Sequence, residues 1–316
     1  MRIATIDVGT NTAELLVAEL EEGAIQTVHE DERFVRLGEG VDARGTVSEV
    51  ALERLKDALI ALRDAAQAHG AEQILVGATS ASRDAANQQA IVDFVQAETG
   101  LAYDILSGEE EATWTFQAAC LSAPAHAASC TVLDIGGGST EVIVGAADGR
   151  GAEAIAFRHS FNIGTVRLTE RFFEALPPSP RAIERAEAFT REQLGSVAVP
   201  ASGARPVLGN SGTALVLALV TAGPEATWDA LDADQQILSA AQVRQWRARL
   251  LTSTTDEVRA LHPTAMHGRA DVFPMGVLIL DVLLDHLGAE ALRVSPYQLR
   301  HGLLLRALRR QSATEE

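Results

Sequence analysis

Lysine is almost missing from this chain. Lys56 is the only one, so the 26 Lys and Arg residues are nearly all arginines, set against 43 Asp and Glu for a formal net charge of −17. A field of that sign repels nucleic-acid phosphates and anionic headgroups, so neither DNA, RNA nor a membrane is expected as a partner. It repels a small polyanion too, unless local arginines and a bound cation override it. With its one lysine the chain has no G-x-x-x-x-G-K-[ST], which excludes a P-loop nucleotidase. There is no H-E-x-x-H, and His126, His159, His262 and His267 do not fall at metal-ligand spacing. There is no G-x-S-x-G, so a serine or cysteine nucleophile has no support. The two cysteines, Cys120 and Cys130, cluster with no histidine and read as buried free thiols in a reducing cytoplasm. Long apolar runs are missing as well; stretches such as 213–222 are too short to span a bilayer. The chain enters a strand at once, without a cationic and then apolar leader, so no signal peptide is expected.

What is present is a glycine-rich turn of particular chemistry. In Thr131-Val-Leu-Asp-Ile-Gly-Gly-Gly-Ser-Thr-Glu-Val-Ile-Val144 an apolar run ends at Asp134, and Glu141 precedes a second apolar run. The pattern reads as strand, tight turn, strand. Gly136, Gly137 and Gly138 leave a bare backbone whose N–H groups can approach an anion, and Ser139 and Thr140 add hydroxyls. Asp134 and Glu141 place two carboxylates at one site, as divalent-cation chemistry on phosphate requires. An ordinary hairpin turn would explain the glycines but not both acids and both hydroxyls.

The first 17 residues align with this stretch without a gap. Asp7 falls on Asp134, Gly9 on Gly136, Thr12 on Ser139 and Glu14 on Glu141, with Thr10 and Asn11 inside the loop. Two copies imply two related half-domains facing one another across a cleft, each presenting a loop to a polyphosphate. At 316 residues and 47% apolar, with mean hydropathy near zero, the chain can bury about two cores. Domains over 1–125 and 126–296 are expected, joined near the Ala/Pro/Ser-rich stretch 122–129, with the last helix, 297–312, packing back on the first.

Strands are expected at 2–8, 13–20, 24–30, 73–78, 103–106, 130–135, 140–147, 152–158, 206–208 and 292–294. Residues 31–47 read as loop, and Ser48 caps a helix with Val50, Leu52, Leu55, Leu59 and Leu62 on its apolar stripe. Helices are also expected over about 85–97, 107–121, 181–195, 238–262 and 270–287. Strands alternating with helices make this an α/β protein with mixed sheets. Gly209-Asn-Ser-Gly-Thr213 forms a third strand-to-helix junction that suits an anion, a weak signal by itself. Ser107-Gly-Glu-Glu-Glu-Ala112 puts three acids at a helix start, where dipole pairing alone could explain them. Spacing leaves open which of Glu109, Glu110 and Glu111 points inward, where it could take a proton from water. Arg83 could bind a phosphate oxygen, or simply pair with Asp84 or another acid. Arg300 and Arg306 mark a basic final helix, read as a solvated or dipole-matching face.

Together Asp7-Val-Gly-Thr-Asn-Thr12, Val35-Arg-Leu-Gly-Glu-Gly40, Thr79-Ser-Ala-Ser-Arg-Asp84, Ser107-Gly-Glu-Glu-Glu-Ala112, Asp134-Ile-Gly-Gly-Gly-Ser-Thr-Glu141, Gly164-Thr-Val-Arg-Leu-Thr-Glu170, Arg269-Ala-Asp-Val272 and Arg293-Val-Ser295 resemble the exopolyphosphatase/guanosine pentaphosphate phosphohydrolase (Ppx/GppA) family. That family belongs to the actin-like, ribonuclease H-like (ASKHA) superfamily. The resemblance implies two actin-like domains flanking an interdomain cleft, and hydrolysis of a terminal phosphoanhydride of polyphosphate or guanosine pentaphosphate with Mg2+ or another divalent cation. It selects Glu111 as the catalytic glutamate, Glu141 as the second essential carboxylate and Arg83 as a phosphate-binding arginine. Gly9, Thr10, Asn11, Thr12, Gly136, Gly137, Gly138 and Ser139 become phosphate contacts, and Asp7, Asp134 and Glu141 metal neighbours. Gly209, Ser211, Gly212 and Arg269 become further candidate substrate contacts, and a homodimer is a family-level expectation. Several features depart from the family pattern, among them the third loop, Gly209-Asn-Ser-Gly-Thr213 in place of a purer glycine run. The chain reads as a short form without the helical C-terminal domain, and Glu14 adds a carboxylate beside the first loop. Two rival readings remain: an ATP-dependent small-molecule kinase of the same superfamily, and a non-enzymatic nucleotide-binding scaffold.

Overall fold

The computed structural model describes residues 1–21, 24–148, 152–232 and 235–315. It divides into two compact units, Met1–Ala118 with Tyr297–Glu316, and Ala119–Pro296.

The first unit is built on a sheet in the order β3-β2-β1-β4-β5, from β1 (Arg2–Val8), β2 (Thr12–Glu21), β3 (Ala24–Phe34), β4 (Gln73–Ala78) and β5 (Tyr103–Ile105). β1, β2 and β3 form an antiparallel meander, while β4 and β5 run parallel to β1. The alternation of strand side chains assigns the two faces. Ala4, Ile6 and Val8 pack with Leu52, Leu55, Leu59 and Leu62 of helix α2 (Glu49–Ala68). Ile3, Leu16 and Ala18 pack with Leu304 and Ala307 of the terminal helix α12 (Leu299–Glu315). The Thr5 hydroxyl donates to the Arg300 carbonyl at 2.8 Å, which pins the start of α12 to β1. Ile3, Thr5 and Asp7 share one face by period two, so α12 lies on the face from which Asp7 projects.

Ser48 caps α2 by accepting from Ala51 N at 3.3 Å, and Gly70, at φ +74°, lets the chain leave the helix. The buried stripe runs Ala51, Leu52, Leu55, Ala58, Leu59, Leu62, Ala66. Val50, expected on it, is 66% exposed, because it lies one residue ahead of that stripe and so about 100° round the helix. The segment expected as a loop from residue 31 continues β3 to Phe34 and then forms the short helix α1 (Val41–Arg44).

The second unit carries a sheet in the order β10-β11-β9-β6-β7-β8, from β6 (Ser129–Ile135), β7 (Thr140–Ala146), β8 (Ile155–Phe161), β9 (Val207–Gly209), β10 (Ile237–Ser239) and β11 (Ala291–Val294). β6, β7 and β8 repeat the antiparallel meander, and β9 and β11 repeat the parallel pair. β10 lies within the region expected to be helical from 238. At three residues it carries too short a pattern to separate from the helix α9 (Ala240–Leu250) that follows. Helix α11 (Phe273–Leu287) is buried round nearly its whole circumference, as its unbroken apolar sequence requires. Two α/β sheets of mixed direction are thus observed, as the sequence predicts. Among the described residues no helix is long and apolar enough to cross a membrane.

Candidate active site

The two glycine loops occupy equivalent places, and strand register shows the repeat directly. Asp7 lies opposite Glu14 across β1 and β2, and Asp134 lies opposite Glu141 across β6 and β7. Gly9 N donates to Thr12 O at 2.8 Å, and Gly136 N donates to Ser139 O at 2.9 Å. Each turn therefore closes with one bond, and each sets two acids on one face of its hairpin.

The second loop has its carbonyls taken from one side. Helix α6 (Thr165–Phe172) presents its first amides to them: Thr165 N to Gly136 O at 2.9 Å, Val166 N to Gly137 O at 2.9 Å and Arg167 N to Gly137 O at 3.1 Å. Arg167 Nε donates to Gly138 O at 2.7 Å. In a trans peptide the N–H points opposite to the C=O. The N–H groups of Gly137, Gly138 and Ser139 are accordingly directed away from α6, which gives the loop the anion-receiving character its glycines suggest. Gly164 permits the approach, since a Cβ there would run into the Gly137 and Gly138 backbone. The Thr140 hydroxyl, expected as a further donor to phosphate, is instead spent on Ile163 O at 2.7 Å. Glu141 is 1% exposed and accepts from Ser160, its cross-strand neighbour on β8, at 2.6 Å.

The first loop solves the same problem with a different segment. Gly38 N donates to Thr10 O at 2.9 Å, while Val35 N and Arg36 N both donate to Asn11 O at 2.9 Å. Arg36 adopts φ +44° to do so, a left-handed backbone that is uncommon away from glycine. Arg54 on α2 braces the segment through Val35 O at 2.9 Å and Arg36 O at 3.0 Å. Thr10 Oγ1 lies 2.9 Å from Ser80 Oγ. The Val35–Gly40 motif is therefore the scaffold of the first loop, as Gly164–Glu170 is of the second.

The strands beside each loop end alike. Thr79 N donates to Val8 O at 3.0 Å after β4, and Asn210 N donates to Leu133 O at 3.3 Å after β9. Of the residues named at the third junction, Gly209 is strand backbone packed beneath Leu292, and Ser211 caps helix α8 (Gly212–Ala222) by accepting from Ala214 N at 3.4 Å. Gly212 lies beside Arg269, whose Nη1 would be 2.8 Å from a Cβ placed there. The structure thus brings Gly212 and Arg269 together and gives Gly209 and Ser211 local structural work.

Helix α5 (Gly108–Ala119) separates its three acids. Ser107 Oγ accepts from Glu110 N at 3.2 Å, while Ser107 N and Oγ donate to Glu110 at 3.1 and 2.9 Å, a capping box that turns Glu110 outward. Glu109 is exposed. Glu111 heads the buried stripe of Thr115, Phe116, Ala118 and Ala119 and is itself 6% exposed. Arg83, closing the short helix α3 (Ser80–Asp84), donates from Nη1 to Glu111 at 2.5 Å and to Leu106 O at 3.1 Å. Burial pushes the Glu111 carboxyl above the usual range, and the adjacent guanidinium pulls partly back. Arg83 thus has Glu111 as a pairing partner. Helix α12 supports α5, for Gly302 sits against the Trp114 backbone and Leu299 and Leu303 pack with Leu106 and Trp114.

Arg300 and Arg306 of α12 do not form a solvated face. The Arg300 side chain is 13% exposed and pairs with Glu14 and Glu30, and that of Arg306 is 12% exposed and pairs with Asp104 at 2.7 Å. Sequence spacing could not find these partners, which lie hundreds of residues away. Cys130 is buried, Cys120 only half-buried, and their sulfurs lie 3.4 Å apart.

No group of three or more His, Cys, Asp or Glu able to hold a metal occurs among the described residues. Asp134 and Glu141 in the second unit, and Asp7 and Glu14 in the first, are pairs of carboxylates on opposed strands.

Comparison with known proteins follows the same lines. The chain is 33% identical to exopolyphosphatase 2 of Mycobacterium tuberculosis over 320 residues, covering 96% of this chain and 98% of that one. It is 30% identical to exopolyphosphatase 1 of Mycobacterium bovis, covering 98% and 88%. An exopolyphosphatase structure from Cytophaga hutchinsonii superposes with a TM-score of 0.84 at 27% identity, covering 98% of each chain. The Aquifex aeolicus Ppx/GppA family member gives 0.77 at 26%, again over 98% of each. The model of the Ppx/GppA phosphatase family matches residues 16–311. With loop register, fold and sequence in agreement, this chain belongs to the Ppx/GppA phosphatase family.

Proposed function

We propose that this enzyme, a phosphoanhydride hydrolase, releases the terminal phosphate of inorganic polyphosphate or of guanosine pentaphosphate by attack of water assisted by Glu111. The observation that carries this reading is Glu111 itself, a buried carboxylate with a raised pKa, singled out from two outward-facing neighbours and oriented by Arg83. A carboxylate in such a site is a stronger base than one in water, and its buried position keeps it from titrating with the surface acids. The adjacent Arg83 guanidinium favours the ionised form and so acts against burial. No covalent intermediate is required. A kinase would also use a carboxylate, to take the proton of its acceptor hydroxyl, but would release no phosphate without an acceptor, and a scaffold would be indifferent to the loss of Glu111.

The amides of Gly137, Gly138 and Ser139, and those of Asn11 and Thr12 in the first unit, are the donors for phosphoryl oxygens, with the Ser139 and Thr12 hydroxyls beside them. Arg83, which donates to Glu111, is the arginine that would meet phosphate charge. Gly212 and Arg269 are candidates for the more distant part of the substrate. Asp134 and Glu141 of the second unit would hold Mg2+ or another divalent cation, whose contribution when bound is to neutralise phosphoryl charge, and Asp7 is the corresponding acid of the first unit. The cytoplasm, where such substrates occur, is the expected compartment, and a homodimer the expected assembly.

Glu111→Gln tests the proposal. It keeps a hydrogen-bonding group beside Arg83 but removes the base, so kcat for phosphate release should fall by about 10²–10⁴. The circular dichroism spectrum should be unchanged. Turnover at the wild-type rate would refute the assignment. Comparing phosphate release from short polyphosphate, long polyphosphate and guanosine pentaphosphate, each with Mg2+, identifies the substrate.

A further inference from the structure

The repeat places Glu14 where the second unit has Glu141, but the two acids meet different surroundings. Glu141 is buried and accepts from a neutral hydroxyl, Ser160. Glu14 forms an ion pair with Arg300, which reaches it from α12 and also binds Glu30 at 2.9 Å. The Arg300 guanidinium feels the Asp7 carboxylate too. On its other side, Glu14 accepts from the hydroxyl of Thr12, a member of the first glycine loop, at 3.2 Å. Its carboxylate is therefore coupled to the loop on one side and to a nearly buried guanidinium on the other. A second acid at this place would repel a phosphoryl group from the loop amides unless its charge were cancelled.

We infer that Arg300 is a positioning residue for the reaction: by neutralising Glu14 it makes the first glycine loop able to receive a phosphoryl group. The inference deepens the proposed function and rests on it. A purely structural role predicts lost stability with substrate affinity intact. A direct phosphate contact predicts an affinity loss that no change at Glu14 repairs. The mechanism inferred here predicts an affinity loss that vanishes when the carboxylate is removed as well.

The test is a double-mutant cycle on the full chain, with tripolyphosphate and Mg2+, reading kcat and KM separately. Arg300→Gln should raise KM about ten-fold, the scale of one uncompensated charge beside a polyanion, with kcat within about two-fold. The rise should shrink as salt increases. Glu14→Gln combined with Arg300→Gln should return KM to within about two-fold of wild type, since each removed charge cancels the other. Equal KM values for the single and double variants, or a fall in kcat at constant KM, would overturn the inference. If Arg300→Gln does not fold, Glu14→Gln decides: with Arg300 no longer offset by Glu14 beside the loop KM should fall several-fold, and an unchanged KM would overturn the inference. Absence of hydrolysis by the wild-type chain would instead remove the proposed function. In that event tripolyphosphate binding by the same four proteins, measured by calorimetry, still reads the Glu14–Arg300 coupling, the same pattern in Kd supporting it and equal Kd values overturning it.

Discussion

The first and second glycine loops share a register, a closing hydrogen bond and a pair of opposed acids, yet almost nothing that supports them is shared. The second loop is backed by the N-terminus of α6, which supplies three amides and the Arg167 side chain. The first is backed by an irregular segment, Val35 to Gly38, itself held by Arg54. A duplicated hairpin fixes where loop carbonyls must be satisfied, because unsatisfied ones are costly when buried. It leaves open which neighbour satisfies them. The chemistry also divides unequally. The first unit carries Arg83 after β4 and Glu111 after β5, whereas after β11 the second has Ser295, whose amide donates to Gly209 O at 2.8 Å. The repeat supplied two glycine turns of one register, and the proposed base, Glu111, has no counterpart in that repeat.

The sharpest way to break the symmetry is to add one methyl group to each support. A Cβ at Gly164 would collide with the backbone of Gly137 and Gly138, which cannot move without displacing the loop amides. At Gly38 the collision is with the Thr10 side chain, which can turn at the cost of its contact with Ser80. At Gly9 the nearest atom, Thr12 O, lies at an ordinary 3.5 Å. Gly164→Ala should therefore lose about 1–3 kcal/mol or more of stability. It should also lose about 100-fold in kcat/KM, the scale of an ångström's misplacement of catalytic groups. Gly38→Ala should lose less and Gly9→Ala least. Thermal melts and phosphate release on the three variants check the order, and Gly9→Ala proving the worst would show that the support argument is misplaced.

Much of this was legible beforehand, and the limits have physical causes. The gapless match of Asp7 to Glu14 with Asp134 to Glu141 predicted the register that the sheets adopt, because strand periodicity is local. Which of the three acids on α5 faces inward was also present in the sequence, in a form spacing alone missed. Ser107-x-x-Glu110 is a capping box, and once Glu110 is turned back to the helix start, Glu111 rotates toward the core. The partners of Arg83 and Arg300 were not legible, since each bond closes over many residues of chain; Arg300 and Glu14 are 286 apart. A short strand such as β10 has no period to detect, and the Thr140 hydroxyl looked available only because Ile163 O is remote in sequence.

The asymmetry of the base gives a pH prediction. Glu111 must be ionised to accept a proton, so kcat should fall as pH drops through its pKa. Because burial raises that pKa, the acid limb should lie above the ordinary glutamate value of about 4.3. Arg83 works in the opposite direction, so Arg83→Gln should move the limb to still higher pH. Linkage gives the matching stability sign. A raised folded-state pKa contributes stability below the unfolded pKa that is lost as pH rises through the folded one. Glu111→Gln should therefore gain stability relative to wild type as pH increases through that window. A limb at the ordinary carboxylate position, unmoved by Arg83→Gln, would detach the acid limb from Glu111.

The smallest expected difference lies in the strands behind the two acids. Ser160 is the cross-strand neighbour of Glu141, and Glu32 is that of Glu14. A hydroxyl bonded to a buried carboxylate is worth about 1.5–3 kcal/mol when lost, so Ser160→Ala should lower Tm by several degrees. Glu32 instead places a like charge opposite Glu14, an arrangement that costs rather than contributes. Glu32→Ala should leave Tm unchanged or raise it slightly. The contrast follows from one cause: the second unit stabilises its acid through the sheet itself, while the first imports Arg300 from the far end of the chain. If both substitutions lowered Tm alike, the sheet would be holding both acids in the same way and the special place given to Arg300 would have to be withdrawn.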